Sequence, residues 1–203
     1  MKALRMPLLA LAAGCAASPE VSRSARGATE ESYQSVLKHW TRDGQMMHQV
    51  DTALEVGATY KSWEFRSAYV ERRAALFKLP EARRLELEQT ERAEHGKGHE
   101  FYVAAATHRE QWNDLDRPES AWRVALVCDD RREVEPLRVH RHRKITVATQ
   151  SFFPYTGTFS YGYALVFPRS LPDGTPVCGP GTRRMTLRFA GPLGTLQLAW
   201  DLH

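Results

Sequence analysis

Residues 138–144 read Arg-Val-His-Arg-His-Arg-Lys, a dense run of side chains able to bind ions or move protons. Side chains alternate across a strand, so a strand here sets His140 and His142 on one face and Arg141 and Arg143 on the other. Two histidines at that spacing can share a metal ion, but a zinc site needs three or four ligands and no third is marked by spacing. No metal or other cofactor is therefore expected. Two readings of the run remain. It is a charged edge strand that resists edge-to-edge pairing, or it is a surface for anions formed by Arg138, His140, Arg141, His142, Arg143 and Lys144. The second reading predicts contacts with lipid phosphates, an acidic polymer or a partner protein that weaken as salt is added.

The remaining chemical groups are sparser. His95 and His99 have the spacing of a helical metal pair, but Gly96 and Gly98 oppose a helix, so a linker is expected. Glu64 with Arg66, and Asp129 with Asp130, read as isolated charge clusters. Paired carboxylates can do acid–base work, yet Asp129-Asp130 ahead of Arg131-Arg132 has the composition of a turn. Phe152, Phe153, Tyr155, Phe159, Tyr161 and Tyr163 surround Pro154 and Gly157. Part of this set belongs to the core, while Tyr155 and Phe159 at a turn tip are candidate aromatic contacts for a sugar or a partner. The segment 168–184 is long and rich in Pro and Gly, a second candidate recognition surface. The chain has no G-x-S-x-G, P-loop, G-x-G-x-x-G or H-E-x-x-H sequence. No catalytic residue is nominated, and enzymatic activity stays open.

The elements that must position these groups are legible from periodicity. Thr29 is placed to cap a short helix over about 29–40, with Glu30 and Glu31 in its first turn. After an expected Asp43-Gly44 turn, residues 45–61 partly alternate and predict one long strand, with Gly57 as a possible bulge. From Ser62 the period changes, and a helical section with a break at Pro80 is expected over about 62–95. Its second half carries Arg84–Glu88 and Glu88–Arg92 at i, i+4 and few apolar residues, the pattern of a solvated helix. Residues 100–203 read as strands: 101–106, 122–128, 137–141 continuing into Ile145–Thr149, 161–167, 185–189 and 196–202. Gly191-Pro192-Leu193-Gly194 joins the last pair as the clearest hairpin. A mainly β fold follows, an immunoglobulin-like β-sandwich with a helical insertion after the first strand; a lipid-binding barrel and an α+β arrangement are the alternatives.

The first residues carry an address. Lys2 and Arg5 precede an uncharged run from Met6 to Ala13, within the ~7–15 residues of a signal-peptide core and short of the ~20 a spanning helix needs. Leu11-Ala12-Ala13-Gly14-Cys15 resembles the lipobox of bacterial lipoproteins, although alanine rather than leucine stands three before the cysteine. The resemblance covers about the first 17 residues. It implies a signal peptide over 1–14, removed on export, and a lipid on Cys15 that tethers the chain to the membrane. Ala16 after the cysteine is similar to the outer-membrane sorting pattern, so a lipid-anchored location in the cell envelope, at the outer membrane, is expected. Residues 15–28 then form the lipidated cysteine and a flexible tether, and 29–203 a single globular domain.

Without Lys2 and Arg5 the 28 basic residues become 26 against 24 acidic ones. The basic isoelectric point is therefore no sign of nucleic-acid binding, which needs clustered excess charge. With Cys15 lipidated, Cys128 and Cys178 remain as an even pair in an oxidising compartment and are expected to form a disulfide. The function expected is a lipid-anchored envelope protein that binds or scaffolds, its partner an envelope protein or an anionic envelope polymer. The alternatives are an envelope enzyme on glycan, lipid or peptide, using His140 and His142, and a carrier of an apolar ligand.

Overall fold

The computed structural model describes residues 20–129 and 132–202. The expected signal peptide, Cys15, the first part of the tether and Asp130 lie outside the described residues. The element order is α1 (Glu20–Trp40), β1 (Thr41–His48), β2 (Asp51–Tyr60), α2 (Trp63–Phe77), α3 (Glu81–Lys97), β3 (His99–Ala106), a 3₁₀ turn (Glu110–Trp112), β4 (Arg123–Cys128), β5 (Glu133–Val134), β6 (Arg138–His142), α4 (Val147–Phe152), β7 (Tyr161–Phe167), β8 (Arg184–Gly191) and β9 (Gly194–Asp201).

The fold is mainly β, with two antiparallel sheets in the orders β1-β2-β3-β7-β6 and β5-β4-β8-β9. Alternation decides what faces what. Phe101 and Val103 of β3 and Tyr163, Leu165 and Phe167 of β7 share one core with Leu126, Leu187, Phe189 and Trp200 of the second sheet. Tyr102 and Ala104, the intervening residues of β3, belong instead to a second cluster with Tyr33, Leu37, Phe65, Phe152 and Phe153. Helices therefore cover the first sheet on the face away from its partner sheet. β3, buried on both faces, reads as an almost continuous apolar run for that reason. Each large side chain so buried contributes about 1.5–3 kcal/mol.

The helical layer is stitched to the sheet by polar bonds. Ser62 Oγ accepts from the Phe65 amide and caps α2, whose far end closes with Lys78 in the left-handed region at φ 50°. Arg72 grips both Glu30 oxygens at 2.7 and 2.8 Å and donates to the Ser151 carbonyl. The Tyr33 hydroxyl donates to the Phe152 carbonyl at 2.7 Å. One guanidinium and one phenol thus tie α1, α2 and α4 together. α3 has no buried residues and is held outside by pairs such as Arg84 with Glu81, Glu71 and Glu88, the solvated helix its sequence predicts.

Several expectations are corrected. Residues 45–61 are not one strand: the chain reverses at Gln49, which takes φ 57°, and Val50 sits exposed at the tip. Asp43 and Gly44 lie inside β1, and the register shift falls between Met46 and Met47 rather than at Gly57. Ile145–Thr149 does not continue β6, because Thr146 Oγ1 accepts from the Thr149 amide and starts α4. His95–Lys97 is helical, with Lys97 paired to Glu94 at 2.5 Å, so the expected linker is the end of α3 and the start of β3. α1 begins upstream of Thr29, within the segment expected as tether. The helical pair follows the second strand, and the sheets do not close into a barrel.

Candidate functional site

Where the helical layer meets the open end of the first sheet, a cleft of about 370 Å³ remains between α2, α3, α4 and strands β3, β7 and β6. It exists because the residues under it are small. Ala164 on β7 pairs with Tyr102 on one side and His140 on the other, and Ala148, Thr146 and Thr149 line the α4 wall. Gly162, opposite His142 in the ladder, is glycine because the Tyr102 hydroxyl passes 2.7 Å from where a Cβ would stand.

Helical spacing brings the charged groups in. Arg66, Tyr69 and Arg73 lie at i, i+3 and i+7 on one side of α2. Arg66 has no exposed surface. Its guanidinium donates to Glu91 of α3, to Glu100 Oε2 of β3 at 2.6 Å and to the Lys61 carbonyl at 3.1 Å. Lys61 Nζ meets the other Glu100 oxygen at 2.9 Å. Lys61, Glu91 and Glu100 line the cleft and Arg66 lies behind them, so two cations and two carboxylates balance at the wall. Burial pushes the Glu100 carboxyl up, but Lys61 and Arg66 outweigh it and hold the group below its ordinary value.

Two basic side chains on the cleft, Arg73 and the imidazole of His142, lack such a partner among the described residues. Arg73 donates to the Tyr69 hydroxyl and lies near the rings of Tyr69 and Phe77; among the described residues no carboxylate pairs with it. His142 lies with its ring 5.7 Å from Tyr102 and 5.5 Å from His140, and no described group hydrogen-bonds it. Burial, then the charges of His140 and Lys61, push its imidazole below the ordinary value against an opposing pull from Glu100. The Thr146 and Thr149 hydroxyls are 3.0 Å apart and occupied with each other. Apolar rings complete the wall: Phe153 stacks on Tyr102 with centroids 4.0 Å apart, and Phe152 packs on Tyr69 at 4.7 Å.

The other sequence candidates distribute around this site. Among the described residues β6 pairs with β7 alone, at the edge of the first sheet. His140 and His142 face the helical side, while Val139 joins the inter-sheet core and Arg141 lies 3.5 Å over the Tyr161 ring. Arg138, His140, Arg143 and Lys144 are exposed. Among the described residues no group of three or more His, Cys, Asp or Glu side chains is arranged to hold a metal. Tyr155 is not an outward contact: its hydroxyl meets Thr59 Oγ1 at 2.7 Å, and its ring lies against Gly57, where a Cβ would stand 2.5 Å away. Phe159 is 89% exposed.

Cys128 and Cys178 form a disulfide. It fixes the 168–184 segment beside a second cavity of about 300 Å³, bounded by Val134, Leu171 and Pro176. The same segment is held by His99, which is 3% exposed. Its Nε2 donates to the Val177 carbonyl at 2.7 Å, and its Nδ1, 3.0 Å from the Tyr60 hydroxyl, accepts. This neutral tautomer agrees with a pKa pushed down to about 4, first by burial and then by Arg169.

Sequence reasoning brought His142 to the cleft, read Arg66 as an isolated charge cluster with Glu64, which instead accepts from Trp40 Nε1, and missed Arg73, Lys61 and Glu100. Arg66 and Arg73 share a helical face with Tyr69, the one available signal. Glu100 shows no pattern before β2 and β3 are known to pair, with Lys61 donating its amide to the Glu100 carbonyl at 2.8 Å.

No family model and no curated protein matches the chain. Among solved structures it is similar to a novel protein of unknown function from Burkholderia pseudomallei K96243, at 12% identity over 95% of this chain and 94% of that one, with a TM-score of 0.47.

Proposed function

We propose that this chain is an exported, lipid-anchored binding protein of the cell envelope, and that its ligand occupies the cleft between α2–α4 and strands β3, β7 and β6. The N-terminal pattern that ends at Cys15 supports the address, and the Cys128–Cys178 disulfide fits an oxidising compartment. The frame is read as a β-sandwich of immunoglobulin-like type, supported by two antiparallel sheets around one core.

One observation carries the binding role. The buried charges of the cleft wall satisfy one another, while Arg73 and His142 are left facing a space of about 370 Å³, within the ~300–1,000 Å³ of small-molecule sites. Binding is favoured over acid–base catalysis because His142 has no carboxylate oriented on it and both Glu100 oxygens are engaged. The test is native mass spectrometry of the domain released from its own membranes. A small molecule is expected to remain bound to the wild type and to be absent from Ala148→Trp, which fills the rim from an exposed position. Identical spectra for the two proteins contradict the assignment.

A second reading has its own support: exposed Arg138, Arg143 and Lys144 flank an unpaired strand edge, a surface suited to an anionic envelope polymer or an acidic partner.

A further inference from the structure

We propose that the ligand of the cleft is a small organic monoanion, an aromatic carboxylate, whose charge is held by Arg73 and His142 and whose flat body lies along Phe152 and Tyr102. The inference rests on the binding role argued above and names the chemistry of the ligand.

Charge balance decides the sign. Lys61 and Arg66 are matched by Glu91 and Glu100, so Arg73 is the uncompensated charge at the cleft near neutral pH. A guanidinium presents a fork that matches a carboxylate, and here it is steadied by its bond to the Tyr69 hydroxyl and by the Tyr69 and Phe77 rings, whose centroids lie 5.8 and 5.6 Å away. One net positive charge suits one negative charge. A phosphate monoester carries about −1.5 to −2 near neutrality and would set excess charge against the Glu91 and Glu100 carboxylates. The rest of the lining is apolar or small: Phe152, Phe153, Ala148 and Ala164. A flat ring fits between aromatic walls, where offset or edge-to-face contacts are favourable.

His142 adds a pH dependence. The groups around it are His140 on its own strand, Lys61 ahead of α2, Tyr69 and Arg73 on α2, Glu91 on α3, and Glu100 and Tyr102 on β3. Burial, then the charges of His140 and Lys61, hold the His142 imidazole below its ordinary value, so it is neutral at about pH 7.5 and takes up its proton toward the acid end of a titration to about pH 5.5, beside the bound anion. A carboxylate ligand stays ionised there, since such acids titrate near ~4. Protonating His142 places a second positive charge against the anion, so affinity rises as pH falls.

The test is calorimetric titration of the mature domain with benzoate, 2-naphthoate and indole-3-acetate, their three carboxamides, and phenyl phosphate. Each carboxylate that binds is expected to bind about tenfold or more tighter than its carboxamide, and Arg73→Gln to remove that advantage. Phenyl phosphate is expected to bind more weakly than benzoate. The affinity gain from pH 7.5 to 5.5 should persist in His140→Gln and vanish in His142→Gln. Carboxamides that bind as tightly as the carboxylates overturn the anion assignment while leaving the cleft as a binding site. Phenyl phosphate binding more tightly than benzoate overturns the carboxylate assignment in the same limited way. Failure of all seven probes to bind overturns this inference, and the binding role is then judged by the native mass spectra alone.

Discussion

Arg66 carries a full charge into a place with no exposed surface, and the fold tolerates it because Glu91, Glu100 and the Lys61 carbonyl all meet it. Removing one partner of such a set leaves charge uncompensated, at a cost of about 3–5 kcal/mol. Arg66→Leu is expected to lower the unfolding free energy by that amount in a urea titration, and Arg66→Lys, which keeps the charge but not the fork, by less. A loss under about 1 kcal/mol in Arg66→Leu would show that the network is solvated. His99 makes the complementary case, a titratable group buried neutral. Its folded pKa of about 4 lies below the ~6.5 of an unfolded histidine, so the unfolded chain binds the proton more readily. Stability from this group is intact above about pH 6.5 and falls as pH drops toward 4, by a total of roughly 3 kcal/mol. Denaturant midpoints at pH 7, 5.5 and 4 should show this decline, and His99→Gln should flatten it while being less stable at pH 7. A wild-type midpoint constant over that range contradicts the burial argument.

At the scale of elements, the 168–184 segment is positioned by the disulfide at Cys178, by His99 on Val177 and by Arg169 on the His95 carbonyl. The disulfide closes a separation of 50 residues, which the chain-entropy model equates with about 4 kcal/mol. The Cys128→Ser, Cys178→Ser double variant is expected to lose about that much stability in a denaturant titration, with little change in cleft affinity because the cleft is built from other elements. Equal loss of affinity would mean that the two regions are coupled. The opposite-face alternation of β7 and the Gly191–Gly194 hairpin between β8 and β9 were legible in the sequence because one face is buried and the turn is marked by glycine. α2 and α3 were legible from the change of period at Ser62. The reversal at Gln49 was not, since nothing in Gln-Val marks a residue that takes positive φ. α4 was missed because Ile145, Val147 and Thr149 have strand propensity, and the Thr146 cap together with packing of Phe152 and Phe153 overrides it. The cleft drew only His142 from the basic strand, because its other charged groups meet through pairing of β2 with β3 and packing of α2 on α3.

For the whole molecule, two antiparallel sheets share one core while a helical layer on the outer face leaves a cleft at its edge. The proposed lipid at Cys15 would hold that cleft near a membrane surface. Cys15→Ser is expected to accumulate as an unacylated, uncleaved precursor, read from the intact mass of the membrane fraction; normal cleavage in that variant contradicts the anchor. The central claim is that the cleft is where a ligand sits. It is tested most directly by amide chemical-shift mapping of the mature domain titrated with the full set of aromatic carboxylates and carboxamides, whatever their relative affinities. The account predicts shifts concentrated at Lys61, Arg73, Tyr102, His142, Ala148 and Ala164 and suppressed in Ala148→Trp. Shifts concentrated instead around the disulfide-side cavity at Val134, Leu171 and Pro176, or shifts unchanged by Ala148→Trp, would contradict it.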